Sequence, residues 1–343
     1  MKRQVFNLFL LLFLLNFISS EHVAASKENS KSNTQTKDSS ATEFYQKGRK
    51  SYLLFTPKGF KDAINYYNKA IEADPNFAPP YAGLGEVYSF ICYYKMEVKE
   101  EYEDSFNRSY ENILKALKLG ANTNDTQRAL ALSYLHLRRM NEAEAVIKRV
   151  VGVYPNDAES YYILWAVSGR DPENPYIKKA LELDPNLVMA HIGLGNAYLF
   201  NKGDYAKATE QYKRAAEIAD SPQLHNYLGT SLRTQGYLDK AVSEYMKAIE
   251  LDPNYASAYM NLGVTFLYMS KLGDSIADEQ KAISLNSNEP EAYYHLARAL
   301  ELSNKPKEAI ENYRSFINLA SDQEKYTDYV ENARRSIEKM GGK

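Results

Sequence analysis

Cysteine is nearly absent from this sequence. A single residue, Cys92, excludes an intrachain disulfide and a thiolate metal cluster. Histidine is almost as scarce: His22, His136, His191, His225 and His295 show no H-E-x-x-H or comparable spacing, so no metal or other cofactor is expected. Neither charge sign dominates. Lys and Arg number 42 against 44 Asp and Glu, which leaves no basic field to draw in nucleic acid. Phosphate-cradling glycine motifs and the G-x-S-x-G nucleophile elbow are missing, so nothing marks an enzyme. A mean hydropathy of −0.52 excludes a polytopic membrane protein. Tryptophan occurs once, at Trp165, beside 29 tyrosines, a ratio that calls for a structural cause.

Long hydrophobic runs are limited to the N-terminus. Lys2 and Arg3 precede VFNLFLLLFLLNFI, Val5 to Ile18, and small residues follow. This is the charged, apolar and small-residue order of a secretory signal. The run is shorter than the ~20 residues that cross a bilayer as a helix. Residues 1–25 are therefore expected to be a signal peptide, cut after Ser20 or Ala25. Left uncut, the same segment would anchor the chain in a membrane. Ser19 and Ser20 stand where a lipoprotein would need cysteine. Residues 26–42, SKENSKSNTQTKDSSAT, carry no aromatic side chain and read as a disordered polar linker.

The remainder is organised by a period of 34 residues. Gly195, Gly229, Gly263 and Ala297 recur at that spacing, each preceded by leucine (Leu194, Leu228, Leu262, Leu296). Three residues before each leucine stand His191, His225, Tyr259 and Tyr293, and three after each small residue stand Tyr198, Leu232, Phe266 and Leu300. Offsets of 3, 4 and 7 put the large residues on one helical face, and the small one lets a second helix approach. A second frame follows: Ala63, Tyr67, Ala70 and Pro75 recur as Ala241, Tyr245, Ala248 and Pro253. The strings IEADPN, LELDPN and IELDPN close three units, because proline cannot continue a helix and disfavours helical dihedrals just before it.

These frames resemble the tetratricopeptide repeat (TPR), whose pattern is W-x2-L-G-x2-Y, A-x3-F and P. Tyrosine takes most of the aromatic slots, which accounts for the Tyr-to-Trp ratio. The resemblance implies an all-α fold, an α-α superhelix of about eight helix-turn-helix repeats over residues 43–322. Residues 323–343 are expected to form a capping helix and tail, with Tyr326, Tyr329, Val330, Ala333 and Ile337 as its apolar face. Three departures stand out. The Leu53–Phe60 insertion should lengthen the first helix of unit 1. The insertion between Ser89 and Asp104 should lengthen both helices of unit 2 or add an excursion at their turn. Trp165 occupies a position expected to be small.

The individual polar residues read as structural. Glu100, Glu101, Glu103 and Asp104 form a run suited to a solvated helix face. Cys92, beside Ile91 and Tyr93, reads as an inert thiol, and His191 and His225 occupy packing slots. What remains is a surface. The resemblance implies that first helices line the concave side, with partner-binding positions at Tyr162, Asn196, Phe200, Asn226, Tyr227, Met260, Asn261, Tyr268, Tyr294 and Arg298. Ile192, Thr230 and His295 belong to the same set. Aromatic, amide-rich and poor in charge, it suits a peptide or helix of a partner protein. The expected function is a non-enzymatic, exported scaffold or adaptor of the cell envelope. A structural subunit of a larger envelope or secretion assembly is the alternative, and a TPR arm of an enzyme a remote one. Contact with a membrane would come only through an uncleaved signal.

The N-terminal reading has a direct check. Edman sequencing of the native protein should start near Glu21 or Ser26, in material from outside the cytoplasm. Intact Met1 in a soluble cytoplasmic fraction would end the export reading, and intact Met1 in membranes would favour the anchor.

Overall fold

The computed structural model describes residues 39–97 and 101–342. The expected signal and most of the expected linker lie outside these residues. Every regular element among them is helical, as the resemblance implied. The helices pair in sequence. Unit 1 is α1 (Ser39–Leu53) and α2 (Pro57–Ala73), and unit 2 is α3 (Ala78–Glu97) and α4 (Glu103–Gly120). Unit 3 is α5 (Asn124–His136) and α6 (Met140–Val153), and unit 4 the short pair α7 (Ala158–Val167) and α8 (Pro175–Leu183). Unit 5 is α9 (Val188–Asn196), prolonged by a π-helical turn (Ala197–Lys202), with α10 (Tyr205–Ile218). Units 6, 7 and 8 are α11 (Pro222–Thr234) with α12 (Leu238–Leu251), α13 (Ala256–Tyr268) with α14 (Leu272–Leu285), and α15 (Pro290–Leu302) with α16 (Pro306–Ala320). The cap is α17 (Thr327–Lys339), which buries Ala333 and Ile337.

The units are held together by aromatic rings seated on glycine. Tyr67 of α2 lies between Gly48 of α1 and Gly83 of α3, and a Cβ on either glycine would fall 2.5 Å from its ring. Tyr212 meets Gly195 in the same way, Tyr245 meets Gly229, and Ile113 meets Gly85. All four large side chains are buried, so the small residues are what permit close approach of neighbouring helices. The D-P-N strings end helices by a shared device. The carboxylates of Asp74, Asp184 and Asp252 accept hydrogen bonds from the backbone N–H two residues on, at 2.9, 2.9 and 3.0 Å.

A second interaction binds units 1 to 4. Arg49 of α1 pairs with Glu86 of α3 at 2.5 Å and with Glu159 of α7. Arg128 of α5 pairs with Glu86 at 2.8 Å, with Asp125 at 2.8 Å and with Asp157 at 3.4 Å. The Glu86 and Arg128 side chains are 1% and 4% exposed, so this ladder is a buried network on four consecutive first helices. Burial opposes charge on Asp125 and Asp157, but Arg128 beside them prevails and holds both carboxyls below their ordinary range.

Several boundaries differ from the sequence reading. Residues 39–42, placed in the expected linker of residues 26–42, already belong to helix α1. The Leu53–Phe60 insertion does not lengthen α1. Thr56 caps the next helix, its Oγ1 accepting from the Gly59 N–H at 2.9 Å, and Pro57 takes the first-turn position where a missing N–H costs nothing. The chain therefore turns at Leu54–Thr56, with Phe55 in the left-handed region at φ 53°. In unit 2 both helices are long, 20 and 18 residues.

Two substitutions test these contacts. Gly229→Leu should drive side-chain atoms into the Tyr245 ring and lower stability in urea by about 1–3 kcal/mol or more. Glu86→Gln should leave Arg49 and Arg128 under-compensated and cost about 3–5 kcal/mol, as when one partner of a buried pair is removed. Wild-type urea midpoints for both variants would contradict the packing described.

Candidate functional site: an aromatic cavity across the superhelix

The turn that displaces the unit 1 boundary also closes the concave side. Phe55 reaches across the superhelix and packs on the cluster Val188, Ala215, Ala219 and Leu224 of units 5 and 6. The same ring meets Phe60 and Phe90 edge-on, at centroid distances of 5.3 and 4.8 Å. Behind this bridge lies a cavity of about 980 Å³. Units 1 and 2 supply Phe60, Ile64, Phe90, Tyr93 and Tyr94 to its wall. Units 3 and 4 add His136, Tyr162, Trp165 and Arg170, while units 5 and 6 add Met189, Ile192, Asn196, Phe200 and Tyr227. Tyr255, in the link to unit 7, closes the far end.

Each wall has a local cause. The insertion in unit 2 extends α3 past Tyr88, so that Tyr93 and Tyr94 overhang the cavity. The π-helical turn carries α9 beyond Asn196 and presents Phe200, 77% exposed, at the rim. Trp165 is wholly buried: its indole N–H donates to the Asp171 carbonyl at 2.7 Å, and its ring lies against Gly193. The Tyr227 hydroxyl is raised above its ordinary pKa by burial first and then by Tyr94 and Tyr93, which face it across the cavity.

Of the ten expected binding positions, Tyr162, Asn196, Phe200 and Tyr227 line this cavity, while the other six do not. Asn226 and Asn261 pair with each other, Nδ2 of Asn261 donating to Oδ1 of Asn226 at 3.0 Å, and so serve contact between units 6 and 7. Tyr294 was expected on the open concavity but is buried. The cap brings Tyr329 to 5.1 Å from its ring, while Phe316 and Tyr313 pack at 5.1 and 5.8 Å. Met260 is half-buried, and Tyr268 and Arg298 remain exposed, in units 7 and 8 beyond the end of the cavity. Sequence reasoning missed Phe55, Phe60, Phe90, Tyr93 and Tyr94. The available signal was the crowding of aromatics into the two insertions.

The polar groups give no catalytic arrangement among the described residues. No cluster of three His, Cys, Asp or Glu could hold a metal. Ser89 Oγ lies 2.7 Å from His136 Nδ1, yet Ser89 is buried away from the cavity wall and cannot reach an occupant. Burial, with a smaller effect of Arg170, lowers the His136 pKa to about 3. Cys92 is buried with its thiol raised in pKa by burial, and its Sγ contacts Met96 Sδ at 3.9 Å, which suits an inert side chain. His225 is buried between Asp220 and Glu244, at 2.8 and 2.6 Å.

The low pKa of His136 has a definite sign. Its folded value lies below the unfolded one of 6.5, so the folded state binds fewer protons and stability falls as pH drops from about 6.5 toward 3. The stability gap between the wild type and His136→Asn should therefore shrink between pH 7 and pH 5, by up to about 1.4 kcal/mol per pH unit. A gap that is constant with pH would place His136 in a wetter setting.

The family model described as "TPR repeat" matches residues 229–270, and that described as "Tetratricopeptide repeat" matches residues 49–77, 190–222 and 290–323. Superkiller protein 3 of Schizosaccharomyces pombe is 22% identical over 224 residues, covering 62% of this chain and 15% of that protein. The peroxisomal targeting signal receptor of Candida albicans is 27% identical over 226 residues, covering 60% of this chain and 34% of its own length. The chain thus spans only 15% to 34% of the length of these curated relatives. Among solved structures, the APC/C hetero-tetramer Cut9–Hcn1 superposes with a TM-score of 0.63 at 16% identity, over 84% of this chain and 55% of that one. At that identity the likeness concerns the fold. Family models, period and helix pairing agree: the chain carries tetratricopeptide repeats in an all-helical superhelix.

Proposed function

We propose that this chain is a non-enzymatic scaffold that holds an apolar segment of a partner protein inside the aromatic cavity, and that it works outside the cytoplasm at the cell envelope. The observation that carries the reading is the cavity itself. Rigid aromatic side chains from five units converge on one space, with rim residues such as Phe200 left in water. Large aromatic side chains in a desolvated pocket are the usual anchors of a binding surface. Tetratricopeptide repeats in other proteins commonly present their concave side to peptides, which supports the same reading. The signal-like sequence of residues 1–25 supports the location.

A photo-crosslinking residue placed at Phe200 should capture a protein partner in cells. The same residue at Met246, exposed on the second helix α12, should capture far less. Adding Tyr227→Ala should weaken capture at Phe200, buried aromatic anchors commonly costing about 2 kcal/mol or more. Equal capture from both positions, or capture untouched by Tyr227→Ala, would move the binding surface away from the cavity.

A further inference from the structure

The charges and the orphaned polar atoms around the cavity narrow the chemistry of its occupant; this inference rests on the cavity being the partner-binding site. Three cations, Lys61, Lys95 and Arg170, contribute to the wall, against one carboxylate, Asp252. The Lys95 ammonium donates to the Glu101 carbonyl at 3.2 Å. Among the described residues, no ion pair within 4.0 Å engages Lys61 or Arg170. Arg170 sits in the α7–α8 turn at φ 56°, after Gly169 at φ 92°, and its carbonyl accepts from Asn201 at 3.4 Å. Its field is felt inside the cavity, where it opposes protonation of His136 and favours the ionised form of Tyr162. Arg170 is exposed at this turn, and a guanidinium without a carboxylate beside an apolar chamber is suited to receive an acid brought by a ligand.

A second, independent observation separates peptide from lipid. Gln223, on the first turn of α11, lines the cavity, and its Oε1 is buried without a hydrogen-bond partner. An unmet buried acceptor favours an occupant that donates an N–H, which a peptide carries and an acyl chain does not. Size sets the length. Two turns of helix about 10 Å across and about 10.5 Å long fill roughly 800 Å³, within the 980 Å³ available.

We propose that the cavity takes an apolar peptide segment of about seven residues bearing one Asp or Glu, whose carboxylate meets Arg170 in the field of Lys61 and one of whose N–H groups donates to Gln223.

Selection of a random heptapeptide display library on the full chain tests this. Enriched sequences should combine aliphatic or aromatic residues with one acid. A synthetic Glu-containing winner should quench or shift Trp165, the only tryptophan, and its Gln isostere should bind about tenfold more weakly. Arg170→Gln with Lys61→Gln should remove that difference. Gln223→Leu should weaken both peptides alike. Equal binding of the Glu and Gln peptides, or enrichment of basic sequences, would overturn the acidic assignment while leaving the cavity a peptide site. Enrichment of no sequence that depends on Phe200 and Tyr227, with Trp165 instead responding to laurate, would overturn both readings.

Discussion

The architecture depends on one contact: a large side chain of a second helix seated where the facing first helix has no Cβ. Tyr67 shows it twice over, clasped by Gly48 and Gly83. A ring in that notch fixes both the depth and the rotation of the neighbouring helix, so the superhelical pitch follows from a few glycines. Unit 7 departs from the rule. Glu279 fills the slot of the tyrosines and lies against Gly263 with both carboxylate oxygens unpartnered; burial first and then Asp278 raise its pKa well above the ordinary range. This unit keeps the glycine seen in units 1, 2, 5 and 6 but sets a buried carboxyl against it.

Because packing is repeated, small local changes alter the whole curve. Lengthening α3 and turning the chain early at Thr56 place aromatic residues on the inner side of units 1 and 2. Phe55 then bridges to Leu224, and what would be an open groove becomes a chamber. The ion ladder of Arg49, Glu86, Arg128 and Glu159 joins the first helices of units 1 to 4.

The sequence made the repeats legible where glycine, tyrosine and D-P-N recur, most clearly from Leu194 to Leu300. It gave the all-helical class, and four positions that the resemblance turned toward the concave side, Tyr162, Asn196, Phe200 and Tyr227, lie in the cavity wall. It could not show the closure of the cavity, since Phe55 and Leu224 are far apart in the chain and no period relates them. It also placed Tyr294 wrongly on the open side, because a repeat pattern cannot say which concave positions the cap will cover. Asn226 and Asn261 illustrate the same limit: a polar residue on the inner edge of a helix can serve the next repeat as well as a ligand.

The central claim, a single aromatic chamber that favours an apolar anion, can be measured without knowing the partner. Anilinonaphthalene sulfonate is aromatic and negatively charged, and Trp165 in the wall is the only tryptophan. Titrated into the folded full chain, the dye should saturate at one molecule per chain and accept excitation energy from Trp165. Dye emission that never saturates, or that arises without loss of Trp165 fluorescence, would contradict the chamber.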